Sequence, residues 1–243
     1  MPLLIRLATA RRAARLGGAV EGLADLVLPR PCVGCRAPAG PLCDRCRPVG
    51  PPVPVPGLPL PVFAAGAYSD GLRTAVLAYK ERGRRDLAAP LGRLLAGAVA
   101  RAAGSPRDGP SARVRPVVLV GVPSSRSARA TRGGDHVRRL AVRAGPINGL
   151  RVADGVLALA REVRDSAGLT VGERAENLAH AMVASPSAAR RDALLVDDVV
   201  TTGATLREAA RALRAAGWRV IGAATVAATP RRDSLHRAIG STQ

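Results

Sequence analysis

Two adjacent carboxylates, Asp197 and Asp198, end an apolar run and are followed at once by hydroxyls and a glycine. The stretch reads Ala193-Leu-Leu-Val-Asp-Asp-Val-Val-Thr-Thr-Gly-Ala-Thr205, and a helix-forming run follows from Leu206 to Ala216. The pattern predicts a buried parallel strand, a loop at its carboxyl end and a helix N-terminus, the place where open α/β sheets bind ligands. Free backbone N–H groups and the positive helix end favour a phosphate there. The loop residues Val199, Val200, Thr201, Thr202, Gly203, Ala204 and Thr205 would cradle it, with the three threonine hydroxyls adding hydrogen bonds. Asp197 and Asp198 are too negative to hold that phosphate; they suit a neutral polyol or a developing positive charge beside it. One sugar phosphate satisfies both halves, its ribose hydroxyls on the acids and its 5-phosphate on the turn. An Asp pair that merely caps a helix has no need of the Thr-Thr-Gly-x-Thr continuation. The chain contains neither a G-x-x-x-x-G-K-[ST] loop nor a G-x-G-x-x-G fingerprint, which argues against a nucleoside triphosphatase or a dinucleotide enzyme.

A second constellation lies near the N-terminus. Cys32-Val-Gly-Cys35 and Cys43-Asp-Arg-Cys46 are separated by seven residues and hold all four cysteines. Two C-x-x-C pairs at this distance form a tetrahedral thiolate signature for zinc. Gly34 and the segment Pro38–Pro41 supply turn chemistry, and Arg30, Arg36, Arg45 and Arg47 offset the charge of a tetrathiolate site. Two disulfides or reduced structural cysteines are the competing readings, and disulfides need an oxidising compartment. Four protein ligands leave no open position, so the expected zinc is structural and folds a small module, with partner docking as a further use.

The elements that must position these groups follow from pattern. Val62–Tyr68 reads as the first strand of the main domain. Leu72–Lys80 and Asp86–Ala103 read as helices broken at Arg82-Gly83. Residues 104–116 read as a polar loop and Val117–Val122 as a buried parallel strand. An Arg-rich, Gly-containing segment leads to a helix over Asp135–Ala144, and Leu150–Leu159 includes a further strand. Thr170-x-x-Glu173 looks like a capping box for a helix over Val171–Met182. The signature strand and its helix follow, then a strand over Arg219–Val226. Alternating strands and helices predict an α/β parallel sheet. Seven prolines between Arg47 and Pro61 read as a semi-rigid spacer. The division expected is an N-terminal helix and zinc module over 1–47, a Pro-rich linker over 48–61, the main domain over 62–228 and a tail over 229–243.

Composition bounds the rest. At 243 residues and 47% hydrophobic, the chain can bury a sizeable core, and at 2% aromatic that core must be Leu, Val, Ala and Ile. No segment approaches the roughly 18 uninterrupted apolar residues of a membrane span. The formal charge of +19 is carried almost wholly by arginine, with Lys80 the only lysine. Such charge attracts nucleic acid, but the aromatic platforms that stack single strands are nearly missing. Single-stranded DNA binding through this surface is therefore an unspecific possibility, and it would fall steeply with salt. Residues 1–20 are basic and free of acid, with arginines interrupting every apolar stretch. They read as a helix or frayed tail leading into the cysteine module, with the look of a transit peptide or membrane-surface helix as the competing reading. A secretory core is absent, so a reducing cytoplasm is the expected compartment.

The signature resembles that of the type I phosphoribosyltransferases, agreeing at every position, and the resemblance implies binding of phosphoribosyl pyrophosphate (PRPP) with Mg²⁺. Further segments extend the likeness: Ala78-Tyr-Lys-Glu-Arg-Gly83, Val120-Gly-Val-Pro123, Arg132-Gly-Gly-Asp-His136 and Leu169-Thr-Val-Gly-Glu-Arg-Ala-Glu-Asn177. With the cysteine module and spacer, their order is similar to the ComF (GntX-like) family, phosphoribosyltransferase-like proteins of competence and DNA uptake. That resemblance covers roughly residues 23 to 228. It implies a type I phosphoribosyltransferase-like parallel sheet flanked by helices, with a small four-cysteine zinc module before it. Pro123, Ser124, Ser125 and Arg126 would line the pyrophosphate loop, with Arg126 or another loop arginine steadying the departing pyrophosphate. Lys80 falls where the family often carries lysine; a lone lysine in an Arg-rich chain suggests that a compact ammonium is wanted, although chance survival explains it as well. Arg174 and Asn177 match a family E-R-x-x-N element. The family's R-G-F-N-Q appears here as Arg132-Gly-Gly-Asp-His136, and Ser166 replaces a family Gln. His136 as a general base competes with a structural histidine, and His180 and His236 receive no role. Two functions are implied: transfer of phosphoribosyl to an unknown acceptor with pyrophosphate release, or a non-catalytic PRPP sensor or adaptor for DNA-uptake or recombination partners. Related enzymes often form homodimers.

Overall fold

The computed structural model describes residues 30–104, 115–161, 177–187 and 191–230. Its frame is a six-stranded sheet in the order β1-β2-β8-β7-β3-β4. The strands are β1 (Val53–Pro54), β2 (Val62–Ala67), β3 (Val117–Gly121), β4 (Arg151–Val152), β7 (Asp192–Val200) and β8 (Arg219–Ala228). All neighbours are parallel except the β1–β2 pair. A separate antiparallel pair, β5 (Leu157–Leu159) and β6 (Met182–Ala184), forms a second small sheet. The expected α/β parallel architecture is present.

Strand β7 runs through the middle and is almost wholly buried. Its alternation splits the core in two: Leu194 and Val196 face one cluster, Ala193 and Leu195 the other. The first cluster is closed by helices α1 (Asp70–Glu81), α2 (Ala88–Ala103) and α4 (His136–Ile147). The second is closed by α5 (Ala204–Ala215), whose Leu206, Ala209, Ala210 and Leu213 form its inward stripe. Small side chains let helices and sheet approach closely, so leucine, valine and alanine fill most of a core in which Tyr79 and Trp218 are the buried aromatics among the described residues. A short helix, α3 (Arg126–Thr131), occupies part of the Arg-rich segment.

The structure revises several elements. Strand β7 continues through Val200, so both acids and both valines lie on the strand itself, and the turn begins at Thr201. Helix α1 starts at Asp70 rather than Leu72, and α4 runs three residues past Ala144 to Ile147. The expected helix over Val171–Met182 does not reach Met182, where β6 begins, and residues 171–176 lie outside the described part. Pairing with Leu157–Leu159 wins locally: Met182 points into the core while Val183 points out, the period-two pattern of a half-buried strand. The single strand expected within 150–159 is two strands in different sheets. The Pro-rich segment is not a free spacer. It adds β1 to the sheet edge, where proline is tolerated, and it buries Leu60 in the second cluster.

The cysteine module also docks. Val33 and Leu42 pack on the first cluster, and Arg30 lies 3.8 Å from Asp86. Gly71 in the first turn of α1 sits against Cys46; a Cβ there would meet the Cys46 carbonyl at 2.7 Å.

Candidate functional site

The carboxyl ends of β3 and β7 open into a cavity of about 540 Å³. Strand β7 delivers Asp197 and Asp198 to it, and the turn adds Thr201, Thr202 and Thr205. The turn works because Gly203 adopts φ +76°, a left-handed conformation that glycine enters without strain. A Cβ on Gly203 would also lie 2.2 Å from Leu58. The Thr202 hydroxyl accepts from the Ala204 N–H at 3.3 Å, so the threonine holds the first amide of α5. Arg207 braces the turn by donating to the Thr202 and Gly57 carbonyls.

The two acids have different partners. Asp198 Oδ2 lies 2.8 Å from Lys80 Nζ, at the end of α1. The same oxygen lies 3.0 Å from His136 Nε2, at the start of α4. Asp198 Oδ1 accepts from the Val199 N–H at 2.7 Å. Burial works to raise Asp198, but the His136 hydrogen bond and the Lys80 charge outweigh it and hold the carboxyl well below its ordinary range. Burial likewise works against the Lys80 charge, and the Asp198 ion pair overcomes it and raises the ammonium above its ordinary value. Asp197 accepts from the Asp198 N–H at 2.8 Å. Burial, and then repulsion from Asp198, push its carboxyl well above the ordinary range, with Lys80 pulling the other way. The pair is thus an anchored anion beside a carboxyl inclined to keep its proton.

Most of the residues expected from sequence meet here. Lys80, Pro123, Ser124, Val199, Ala204 and Thr205 join the acids and threonines around the cavity. Ser125 lines an adjoining cavity of about 490 Å³, which shares Lys80, Ser124 and Thr205 with the first. Val200 instead packs into the second core cluster, and Gly203 acts through its backbone. Arg126, exposed at the start of α3, lines neither cavity. Arg132 lines both, held 2.9 Å from Glu81. Asn177 is buried and His180 exposed; Arg174 and His236 lie outside the described residues. Sequence reasoning left His136 undecided and missed Arg132 as a cavity residue. The available signal was their common segment, Arg132-Gly-Gly-Asp-His136, which precedes α4 and so must lie near the sheet's carboxyl edge.

The four cysteines converge as a second candidate site. Their sulfurs all lie within 4.8 Å of one another, and Cys35 Sγ is 3.5 Å from Cys43 Sγ. Zinc–sulfur bonds of about 2.3 Å place tetrahedral sulfurs about 3.8 Å apart, so the donor set fits. The Cys43 N–H points to Cys32 Sγ at 3.4 Å, a bond that favours thiolate. Despite burial, the amides of Cys43, Cys35 and Gly34 draw the Cys32 thiol down to about 6. Burial and crowding by the other three sulfurs push Cys46 up to about 12. Four sulfurs this close cannot all ionise without a cation between them.

A family model described as phosphoribosyl transferase domain matches residues 92–240, more than half of the 243-residue chain. No curated protein matches the sequence.

Proposed function

Because the chain belongs to the phosphoribosyl transferase domain family, we propose that the cavity binds PRPP and that the protein transfers its phosphoribosyl group to an acceptor, releasing pyrophosphate. The observation that carries this reading is the Asp197–Asp198 pair set directly before the Thr201–Thr205 turn and the N-terminus of α5, all on one cavity. The turn holds the 5-phosphate through backbone N–H groups and threonine hydroxyls, supplying binding energy away from the bond that breaks. The ribose hydroxyls meet Asp197 and Asp198. As the C1–pyrophosphate bond lengthens, positive charge grows on the ribose ring, and the anionic Asp198 favours it. Ser124 and Ser125 face the pyrophosphate end, and Arg132 is the cavity arginine that balances its charge. Mg²⁺ accompanying PRPP would supply charge neutralisation for the pyrophosphate leaving group. Asp198 is already engaged by Lys80 and His136, so of the two acids Asp197 would be the freer to meet a metal that enters with the substrate.

Cys32, Cys35, Cys43 and Cys46 would hold a structural zinc. The order of motifs supports a ComF-type role in DNA uptake, with the acceptor or partner surface specific to this chain. Titration with PRPP and Mg²⁺ by calorimetry, against ribose 5-phosphate, tests the site; equal or absent binding of PRPP by the folded protein overturns it. Pyrophosphate release with candidate acceptors then separates a transferase from a PRPP sensor.

A further inference from the structure

We propose that His136 is a positioning residue that ties the ribose-side acid to the pyrophosphate-side loop. The consequence for binding rests on the PRPP reading above; the hydrogen-bond arrangement stands without it. His136 is 2% exposed and opens α4. The Asp135 side chain caps that helix by accepting from the Arg138 N–H. The Tyr79 hydroxyl donates to the His136 carbonyl at 2.9 Å, and the Tyr79 ring meets the imidazole edge-on with centroids 6.4 Å apart. The ring is clamped.

Its two nitrogens reach two cavity side chains. Nε2 is 3.0 Å from Asp198 Oδ2, and Nδ1 is 3.4 Å from Ser124 Oγ. A carboxylate already paired with Lys80 can only accept, so Nε2 carries a proton. In the neutral ring Nδ1 then accepts from the Ser124 hydroxyl. The imidazole therefore fixes Asp198 on β7 and Ser124 on the loop after β3 with one rigid plate. Both partners line the ligand cavity, so the ring's hydrogen bonds act on that cavity as well as on the core. An apolar replacement removes one of the donors on Asp198 and leaves the Ser124 hydroxyl without its acceptor. A glutamine amide both donates and accepts, and so can replace the ring's bonds.

Histidine-¹⁵N labelling tests the arrangement without any ligand. The chain has three histidines, and the resonances missing from H136Q identify His136. The expected long-range spectrum shows a protonated Nε2, with shifts in both D198N and S124A. An unprotonated Nε2, or a D198N spectrum unchanged at His136, overturns the proposal. Binding of PRPP with Mg²⁺ tests the consequence: H136L should weaken it about 10- to 100-fold, the range of a hydrogen bond to a charged group. H136Q should stay within about threefold of the wild type, as expected when both bonds are remade. Should H136L fail to fold, S124A carries the test, with a loss of about 3- to 10-fold for one neutral hydrogen bond. Wild-type affinity in folded H136L, or in S124A where H136L does not fold, overturns the positioning role while the PRPP reading stands. A wild type that ignores PRPP yet shows the expected imidazole spectrum overturns the PRPP reading and leaves the His136 arrangement supported.

Discussion

The cysteine module and the cavity are both polar sites, yet they are assembled by opposite means. The module's four sulfurs come from fifteen consecutive residues, Cys32 to Cys46, and two local turns bring them together. The cavity's polar groups come from Lys80, Ser124, His136, Asp197 and Asp198, on α1, the β3 loop, α4 and β7. In the module, burial and crowding by the other three sulfurs push the Cys46 thiol up, and a cation between the sulfurs would relieve that crowding. In the cavity, Lys80 and His136 already compensate Asp198, so the site is formed in advance. A site built locally spends little chain entropy on its own closure. A site built from distant residues relies on the whole sheet to hold it, and is correspondingly preorganised.

This contrast can be broken from either side. The largest effect is expected from Asp197→Asn with Asp198→Asn, which should reduce PRPP affinity at least about 100-fold by removing the anionic acceptor of Asp198 together with the Asp197 carboxyl beside it, with circular dichroism unchanged. Full affinity in that folded double mutant would remove the acids from the site. Next is Cys43→Ser: metal analysis should find one zinc per chain in the wild type and none in the variant. Hydrogen exchange should then rise across residues 30–47 while β7 and β8 stay protected. Exposure of the sheet as well would make the module part of the main core rather than a docked unit.

Smaller in effect is Gly203→Ala. The left-handed φ and the Leu58 contact should together cost about 1–3 kcal/mol in denaturant unfolding. Adding Leu58→Ala should recover only the steric part. The smallest and most diagnostic effect is a pH slope. The folded carboxyl of Asp197 lies above its unfolded value, so the folded state binds the extra proton. Its contribution to stability is present at low pH and is lost as pH rises from the unfolded value toward the folded one. Asp197→Asn should therefore melt higher than the wild type at neutral pH, with the gap closing as pH falls toward the ordinary carboxylate range. A gap that widens on acidification contradicts the assignment of the raised carboxyl to Asp197.

What was legible in the sequence follows the same division. The strand–turn–helix of the signature could be read because each of its parts is local: apolar run, acids, left-handed glycine, helix. The cysteine pairs could be read because two turns determine where four sulfurs go. The α/β class followed from alternation alone. Three features escaped. Met182 was drawn into a helical reading because its strand exists only through pairing with Leu157–Leu159. The prolines of residues 48–61 suggested a spacer, since composition cannot show that Leu60 finds a core and Val53 an edge. Adjacency to the serines points to Arg126 without deciding among the loop arginines, whereas the fold places Arg132 on the cavity and Arg126 off it.

By itself, the sequence determined which chemistry is available: paired carboxylates, a threonine- and glycine-rich turn, four thiols and one lysine. Those are properties of residue type and short spacing, and folding does not alter them. Only the tertiary structure decided that Lys80 and His136 share one oxygen of Asp198, and that the neighbouring Asp197 is left as the carboxyl inclined to hold its proton. That division of labour depends on burial and on distances between residues up to 118 positions apart, Lys80 to Asp198, which only the closed sheet and its helices bring within hydrogen-bond reach.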